Sequence, residues 1–536
     1  MNKRQQIVVI ALGLLLVVAV GLNVSRFYAR IDLTESKAFT ISRASQQLFR
    51  EIPEKVFITY YLSEKLRSLY SFPMQIEDLL YEYAAHSRGK IQVEVVDPLK
   101  SGQSARVQAL GIPPQQIEVV EKDQRSYAQV YTGIAIQYLD RHETIPVVSQ
   151  IESLEYDLTS RIRKVVSGEE RVVGIVVGDA TRSVSSNYAT LSNFLSADFT
   201  VRELSRGEDI PADVDVLFVL GDYDLQPFDL FPIDQFIMRG GKVLFAVEGM
   251  RMDLQRGLNP EKLGPSPLLD MLAGYGVRVK EELVLDRSCR NFRLPTSVLG
   301  GIMWQVLGKY PYWVTVSGQS VSRESPVMAH FQGLDLYWAS PLEPLSREGV
   351  SAEVLAQSSP QGWTQAEGPF QTDPQTAAVL LSGSHEGAGR YPLAIALQGR
   401  FASYFKGRAI PTREGEKRDW REVLEASPAS QPSRLVVVGD ADFASEIYQY
   451  SDAGYNMDFL GNVAEWLSNS DELLQIKNRT ARDMRLDRIQ DPALRARAAG
   501  FTQAVNVGLI PLGVVAFGIV RFLYRRRKSE HREREG

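Results

Sequence analysis

The chain has 536 residues, 44% of them hydrophobic and 23% charged, with a formal net charge of −5. That length allows two or more domains, each with its own core, and the mild acidity excludes a nucleic-acid binder or a strongly basic coat on a lipid surface. One cysteine, Cys289, excludes an intramolecular disulfide, and His86, His142, His330, His385 and His531 fall without ligand spacing, so neither a metal nor a cofactor is expected.

Residues 7–24 form an almost unbroken apolar run behind Lys3 and Arg4. About 20 apolar residues in helical form cross the hydrocarbon core of a bilayer, and the preceding bases keep the N-terminus cytoplasmic. A secretory signal peptide shares this layout, but Val18-Ala19-Val20-Gly21 is a weak cleavage site, so residues 1–24 are expected to be an uncleaved anchor.

The stretch that follows carries helix and strand signals in turn. Thr40 or Ser42 can cap a helix over 43–50 that Pro53 ends. The β-branched and aromatic content of 56–62 predicts a strand. Ile76, Leu79, Leu80 and Tyr83 recur at helical spacing over 75–86, and 91–96 alternates as a second strand. A short helix over 105–110 leads to strands over 117–120 and 130–139. Leu154, Leu158, Ile162 and Val165 then give one face of a helix with its acids early and its bases late. The order β-α-β-α-β-β-α over residues 25–168 resembles a thioredoxin-like domain. Redox chemistry of that type needs a C-x-x-C pair, and this region has no cysteine.

A second domain is expected over 169–470. Residues 172–177, 214–220 and 242–247 are continuous apolar runs, the pattern of strands buried on both faces of a parallel sheet. Between them, Asn187 can cap a helix carrying Tyr188, Leu191 and Leu195, and Pro232 suits the first turn of a helix that Gly240-Gly241 ends. Parallel strands need crossovers, so the fold class is a doubly wound α/β sheet. From about 276 to 433 the pattern lapses into short strands and loops, read as a large insertion. Residues 435–438 then return to the sheet, with Phe459, Leu460, Val463 and Leu467 on the helix behind it. A linker over 471–500 leads to a second apolar segment within 501–524. This segment contains Pro511 and is followed by Arg525-Arg526-Arg527-Lys528 in a basic tail over 525–536. It predicts a second membrane helix with its far end cytoplasmic, hence a two-pass protein of the bacterial inner membrane with a periplasmic body.

Three strands end in the same two residues: Val177-Gly178-Asp179, Leu220-Gly221-Asp222 and Val438-Gly439-Asp440. A fourth ends Val247-Glu248-Gly249, and Asp442 follows closely. Ligands of open parallel sheets bind at the carboxyl ends of the strands, so Asp179, Asp222, Glu248, Asp440 and Asp442 are the candidate ligand or partner residues. Glycine turns with aspartate caps explain the same pattern without a ligand.

No catalytic residue is expected. A hydrolase or amidotransferase on such a sheet places Ser or Cys at a small-residue elbow, whereas Cys289 lies in Leu285-Asp286-Arg287-Ser288-Cys289-Arg290. An enzyme using Cys289, its thiol activated by Arg287 and Arg290, is the alternative reading. The Walker A pattern is missing from the sequence, so an ATPase would be a separate chain.

Residues 30–42 (RIDLTESKAFTIS), 154–162 (LEYDLTSRI), 436–445 (VVVGDADFAS) and 461–479 (GNVAEWLSNSDELLQIKNR), closed by an apolar segment and RRRK, together resemble GldG. This is the gliding-motility type of auxiliary component of uncharacterised ABC transport systems. The resemblance implies a non-catalytic accessory subunit with a glutamine-amidotransferase-like α/β domain. Its implied partners are permease and ATPase subunits on separate chains, the lipid bilayer, and an extracytoplasmic ligand or protein. It supplies no catalytic residues.

Overall fold

The computed structural model describes residues 41–468, apart from 122–123, 150, 152–153, 169, 254–257, 263, 299–300, 329–330, 409–410, 412–430 and 452, together with residues 517, 518 and 521. Residues 1–481 form one compact unit and 482–536 a second. The expected anchor over 7–24, the linker over 471–500, the tail over 525–536 and almost all of 501–524 lie outside the described residues. Among the described residues no helix is long and apolar enough to cross a membrane.

The chain first builds a four-stranded mixed sheet. Helix α1 (Arg43–Glu51) starts where Ser42 accepts a hydrogen bond from the Ser45 amide, the cap expected from sequence. Strand β1 (Val56–Leu62), helices α2 (Glu64–Leu69) and α3 (Phe72–His86), strand β2 (Ile91–Val96) and helix α4 (Ser104–Ala109) follow. A hairpin of β3 (Gln115–Glu121) and β4 (Gln124–Val130) stands apart from the sheet, and β5 (Thr132–Tyr138), β6 (Arg141–Ile145) and helix α5 (Leu154–Ser167) complete the region. The sheet order is β2-β1-β5-β6, with β1 parallel to β2 and antiparallel to β5. The single strand expected over 130–139 is broken at Tyr131. Its amide donates to Ser63 Oγ (2.9 Å) and its carbonyl accepts from the Ser63 amide (3.0 Å), which pulls that residue out of the ladder.

A buried polar knot closes this half. The Glu155 carboxylate on α5 accepts from the Ser42 amide (2.6 Å) and from Ser45 Oγ (2.8 Å), and Tyr83 and Thr159 join Ser45 in the same cluster. A buried carboxylate is tolerable only with such donors. The LEYDLTS stretch is therefore fixed by packing: Glu155 and Thr159 point into this half, while the Tyr156 hydroxyl hydrogen-bonds Glu465 near the end of the compact unit.

The second sheet is the larger. Its strands are β7 (Val172–Val177), β8 (Thr200–Glu203), β9 (Val216–Leu220), β10 (Lys242–Ala246), β19 (Val350–Gln357), β21 (Pro392–Gly399) and β22 (Ser433–Val438), in the order β19-β21-β22-β10-β9-β7-β8. From β22 to β8 all neighbours are parallel, and β21 and β19 continue the sheet antiparallel. Strands β7, β9 and β22 are buried at every residue. Val173, Ile175 and Val177 face a core built with helices α7 (Ala189–Leu195) and α10 (Tyr455–Ser468). Val172 and Val176 face a second core with α8 (Pro227–Met238) and α9 (Pro267–Tyr275). Helices thus cover both faces, as a doubly wound sheet requires.

Two local expectations are corrected. Asn187 does not cap the helix of Leu191 and Leu195. It ends the one-turn helix α6 (Val184–Asn187), its side-chain oxygen accepting from the Ser183 amide at 3.2 Å. Pro232 does not open a helix; Pro227 does, and Pro232 lies inside α8. Strand β8 was not expected, because Thr200-Val201-Arg202-Glu203 is an edge strand too short and polar to announce itself.

The region expected as an insertion carries β11 (Met250–Asp253) paired with β12 (Asn259–Lys262) at its approach. Within it lie β13 (Val277–Val279), β14 (Leu283–Leu285), β15 (Cys289–Val298), β16 (Gly301–Val316), β17 (Leu334–Tyr337), β18 (Leu342–Pro344) and β20 (Trp363–Gln365). It is not peripheral. Strands β19 and β21 are laid into the main sheet before β22, and Tyr310, Tyr312, Trp313, Tyr337 and Trp338 share one core with Val173 and Val438.

Candidate functional site

Sheet register decides where the acids go. Val177 is opposite Leu220, Leu220 opposite Ala246, and Ala246 opposite Val438. Two residues beyond that row stand Asp179, Asp222, Glu248 and Asp440, so β7, β9, β10 and β22 deliver four carboxyl groups along one edge. The ladder runs on past the strands through Gly178 N to Leu220 O and Gly221 N to Ala246 O, each 2.8 Å. The glycines make this closeness possible. A Cβ on Gly178 would lie 2.1 Å from the Gly221 carbonyl oxygen, and one on Gly439 would lie 2.1 Å from that of Ser340.

All five candidate acids are buried, none above 5% exposed, so each must be neutral, paired or hydrogen-bonded. They divide into two groups. On one side Arg182 donates from Nη1 to Asp442 Oδ1 at 2.5 Å and holds Nε 3.5 Å from Asp179 Oδ2. Burial opposes the charge on Asp179, but hydrogen bonds from the Thr181 hydroxyl and amide (2.7 and 2.8 Å), together with Arg182, hold its pKa below the ordinary value. On the other side the acids are pushed toward protonation. Burial, then the Asp442 charge, raises Glu248, whose carboxylate receives the Tyr223 hydroxyl; Arg251 lies 4.0 Å above the Tyr223 ring. Asp440 is raised by burial and by Asp442, against amide donors from Tyr337 (2.5 Å), Asp442 (2.6 Å) and Phe443 (3.1 Å).

Asp222 is the least satisfied member. Its Oδ2 accepts from Ser266 Oγ at 3.1 Å, whereas its buried Oδ1 has no hydrogen-bond partner among the described residues. Burial raises its pKa to about 7. Between the ordinary carboxyl value and that figure, the folded state holds a proton that the unfolded chain has released, so stability falls as pH rises across this window. Glu248 and Asp440, shifted upward, add slopes of the same sign. Asp222→Asn is expected to leave the melting temperature unchanged near pH 4 and to stabilise the protein by about 1–2 kcal/mol at pH 8. Thermal melts of both proteins across that range check it; a variant less stable at pH 8 contradicts it.

Sequence reasoning found the acids and missed the residues that meet them. Arg182, Tyr223 and Ser266 lie in turns and at a cap, and no periodicity or spacing marks them. The arrangement can hold a cationic group, and its present occupant is the chain's own guanidinium. Among the described residues no group of three or more His, Cys, Asp or Glu side chains is placed to hold a metal ion.

Cys289 opens β15, where burial pushes its thiol up to about 11. The arginines expected to activate it are engaged elsewhere: Arg290 with Asp335 (2.7 Å) and Tyr455, Arg287 with the Gly383 carbonyl. His385 stacks on Trp363 at 3.7 Å. At neutral pH such a thiol is almost wholly protonated and a poor nucleophile.

Residues 35–137 match the profile of a domain of unknown function, and residues 170–470 match that of the family described as ABC-type uncharacterized transport system. An uncharacterized protein of Borreliella burgdorferi is 27% identical over 98% of this chain and all of its own length. The crystal structure of a ThuA-like protein from Bacteroides uniformis aligns with 55% of this chain and 91% of its own at 11% identity, with a TM-score of 0.28. The second of these matches spans more than half of the residues, and the chain belongs to the ABC-type uncharacterized transport system family.

Proposed function

We propose, starting from that membership, that the chain is a non-catalytic, membrane-anchored subunit of an ABC transporter complex that acts by binding. The family match over 170–470 carries the reading. The apolar runs at 7–24 and 501–524 supply the tethers, their basic flanks put both termini in the cytoplasm, and the body between them is periplasmic. Without a Walker A sequence the chain relies on an ATPase and a permease on separate chains. The strand order β2-β1-β5-β6 supports a thioredoxin-like domain over 25–168, and the parallel sheet supports an amidotransferase-like domain over 169–470. A GldG-like role, with or without gliding, fits the quoted motifs.

Within this reading the acid edge is the ligand or partner site. A cationic group enters it by exchange with Arg182, which now bridges Asp179 and Asp442. The test is purification of the tagged full chain from detergent-solubilised membranes, followed by identification of its companions. An ABC permease and ATPase should co-purify, and a reporter fused at residue 300 should signal from the periplasm. A chain that purifies alone, or a cytoplasmic signal, overturns the proposal.

The enzyme alternative rests on Cys289. Because its thiol is raised and its arginines are occupied, Cys289→Ser is expected to retain full function in a complementation assay. Loss of function with normal folding would restore the alternative.

A further inference from the structure

A cleft of about 480 Å³ opens where the two halves of the compact unit meet. Its walls are the start of β6, the end of α5 and the turn that follows α7, joined through Gly168, Glu170 and Arg171. Glu170 and Arg171 precede β7, whereas Asp179 lies beyond its far end, so the cleft sits at the opposite end of the sheet from the acid edge. Most of its charges are already matched. Arg161 holds Glu143 (3.3 Å) and Asp198 (3.2 Å), and Lys164 also holds Glu143 (2.9 Å). Arg171 lies 4.4 Å over the Phe199 ring and donates to Ser468 Oγ at 3.3 Å. Glu170 accepts from the Thr200 hydroxyl at 2.7 Å.

Arg141 is the exception. Its guanidinium donates from Nη2 to the Val166 carbonyl (3.0 Å) and lies 5.8 Å from the centre of the Tyr138 ring, and among the described residues no carboxylate pairs with it. Glycine makes room for it: Gly168 has a φ of +69°, and a Cβ there would run into Arg141 Nη1. A guanidinium presents its N–H donors as a planar fork that matches a carboxylate bidentately. The rest of the cleft narrows the class of ligand. Glu143, Glu170 and Asp198 line it too, and their charges repel a dianion such as a phosphate ester while favouring an ammonium beside them. The volume is too large for an inorganic ion alone and falls within the range of small-molecule sites, which gather between domains. We propose that this cleft binds a zwitterionic solute of amino-acid size, its carboxylate on Arg141 and its ammonium facing Glu170 and Asp198. The walls come from both halves, so a bound solute bridges them. Such a site needs neither the acid edge nor the membrane tethers.

The test is a thermal melt of the purified full chain with each protein amino acid and with diglycine, each at about 5 mM. At least one is expected to raise the melting temperature by about 3 °C or more. Its amide and its N-acetyl derivative, which each lack one of the two charges, should leave the temperature unchanged. Arg141→Ala should abolish the shift. Glu170→Gln, at an exposed residue, should weaken binding about tenfold when the melts are run as a titration, and it carries the test if the arginine variant does not fold. No shift with any probe overturns the site. An equal shift with the N-acetyl derivative or with inorganic phosphate overturns the zwitterion in favour of a plain anion site. A shift that survives both substitutions puts the binding elsewhere and overturns the assignment to this cleft.

Discussion

Gly178→Ala is expected to abolish folded protein, or to cost more than about 3 kcal/mol where any folds, because the added methyl has nowhere to go. Its Cβ would sit 2.1 Å from the Gly221 oxygen and 2.6 Å from the Gly221 carbon, both backbone atoms at the end of the adjacent strand. Neither can swing aside as a side chain would, and the 2.8 Å bond from Gly178 N to Leu220 O holds the two strands at that spacing. Relief would require prising β7 from β9 in the centre of a parallel sheet. Gly439→Ala meets the Ser340 oxygen at the same distance and should be equally severe. Gly221 is a different case. A methyl there finds nothing nearer than 3.9 Å, and the cost comes from its φ of +83°, about 1–2 kcal/mol for an L-residue. Soluble yield and urea denaturation of the three variants should therefore give two failures and one mild loss. Three equally mild losses would show that the close approaches at Gly178 and Gly439 are relieved by local shifts.

Arg182→Ala is expected to destabilise by about 3–5 kcal/mol, the usual result of removing one partner from a buried ion pair. The loss leaves the Asp442 carboxylate, 3% exposed, without the guanidinium that now lies 2.5 Å away, among neighbours that already repel charge. The penalty belongs to the stranded acid, so the double variant Arg182→Ala, Asp442→Asn should recover a large part of it. Denaturant midpoints of the single and double variants form the cycle. Additive losses would mean that Arg182 stabilises the loop by packing and not through the acid. Arg182→Lys keeps the charge and gives up the fork that reaches Asp442 and Asp179 together, so it should fall between wild type and alanine.

Much of the fold was legible because buried strands announce themselves. Residues 56–62, 91–96 and 172–177 are strands with the bounds their composition indicates. What stayed hidden depended on distant partners. Nothing within Thr200–Glu203 reveals that Val172–Val177 will pair with it, and nothing within residues 276–433 reveals that two of its strands enter the sheet. The acid edge was half legible. Repetition of Gly-Asp showed that several strands end alike, but the common row needed the register, and the fate of each charge needed Arg182, Tyr223 and Ser266. The helix ends show the limit of local signals. Ser42 caps as expected, yet Asn187 looks equally suited to a cap and instead closes a single turn that Ser183 opens, while Tyr188 takes the N-cap position of the helix carrying Leu191 and Leu195.

The position of β22 in the sheet also sets a clock. Val243 on β10 is paired with Leu435, so the central strand waits for a neighbour encoded roughly 190 residues later. At ribosomal speeds of about 5–20 residues per second, that neighbour emerges some 10–40 s after β10 does. For all of that time the edge of Val243, Leu244 and Phe245 has hydrogen-bonding groups facing no strand of its own chain. Such an edge is a template for pairing with another nascent copy, and the delay grows with any pause in translation between the two strands. The yield of folded chain therefore depends on how long that edge stays unpaired.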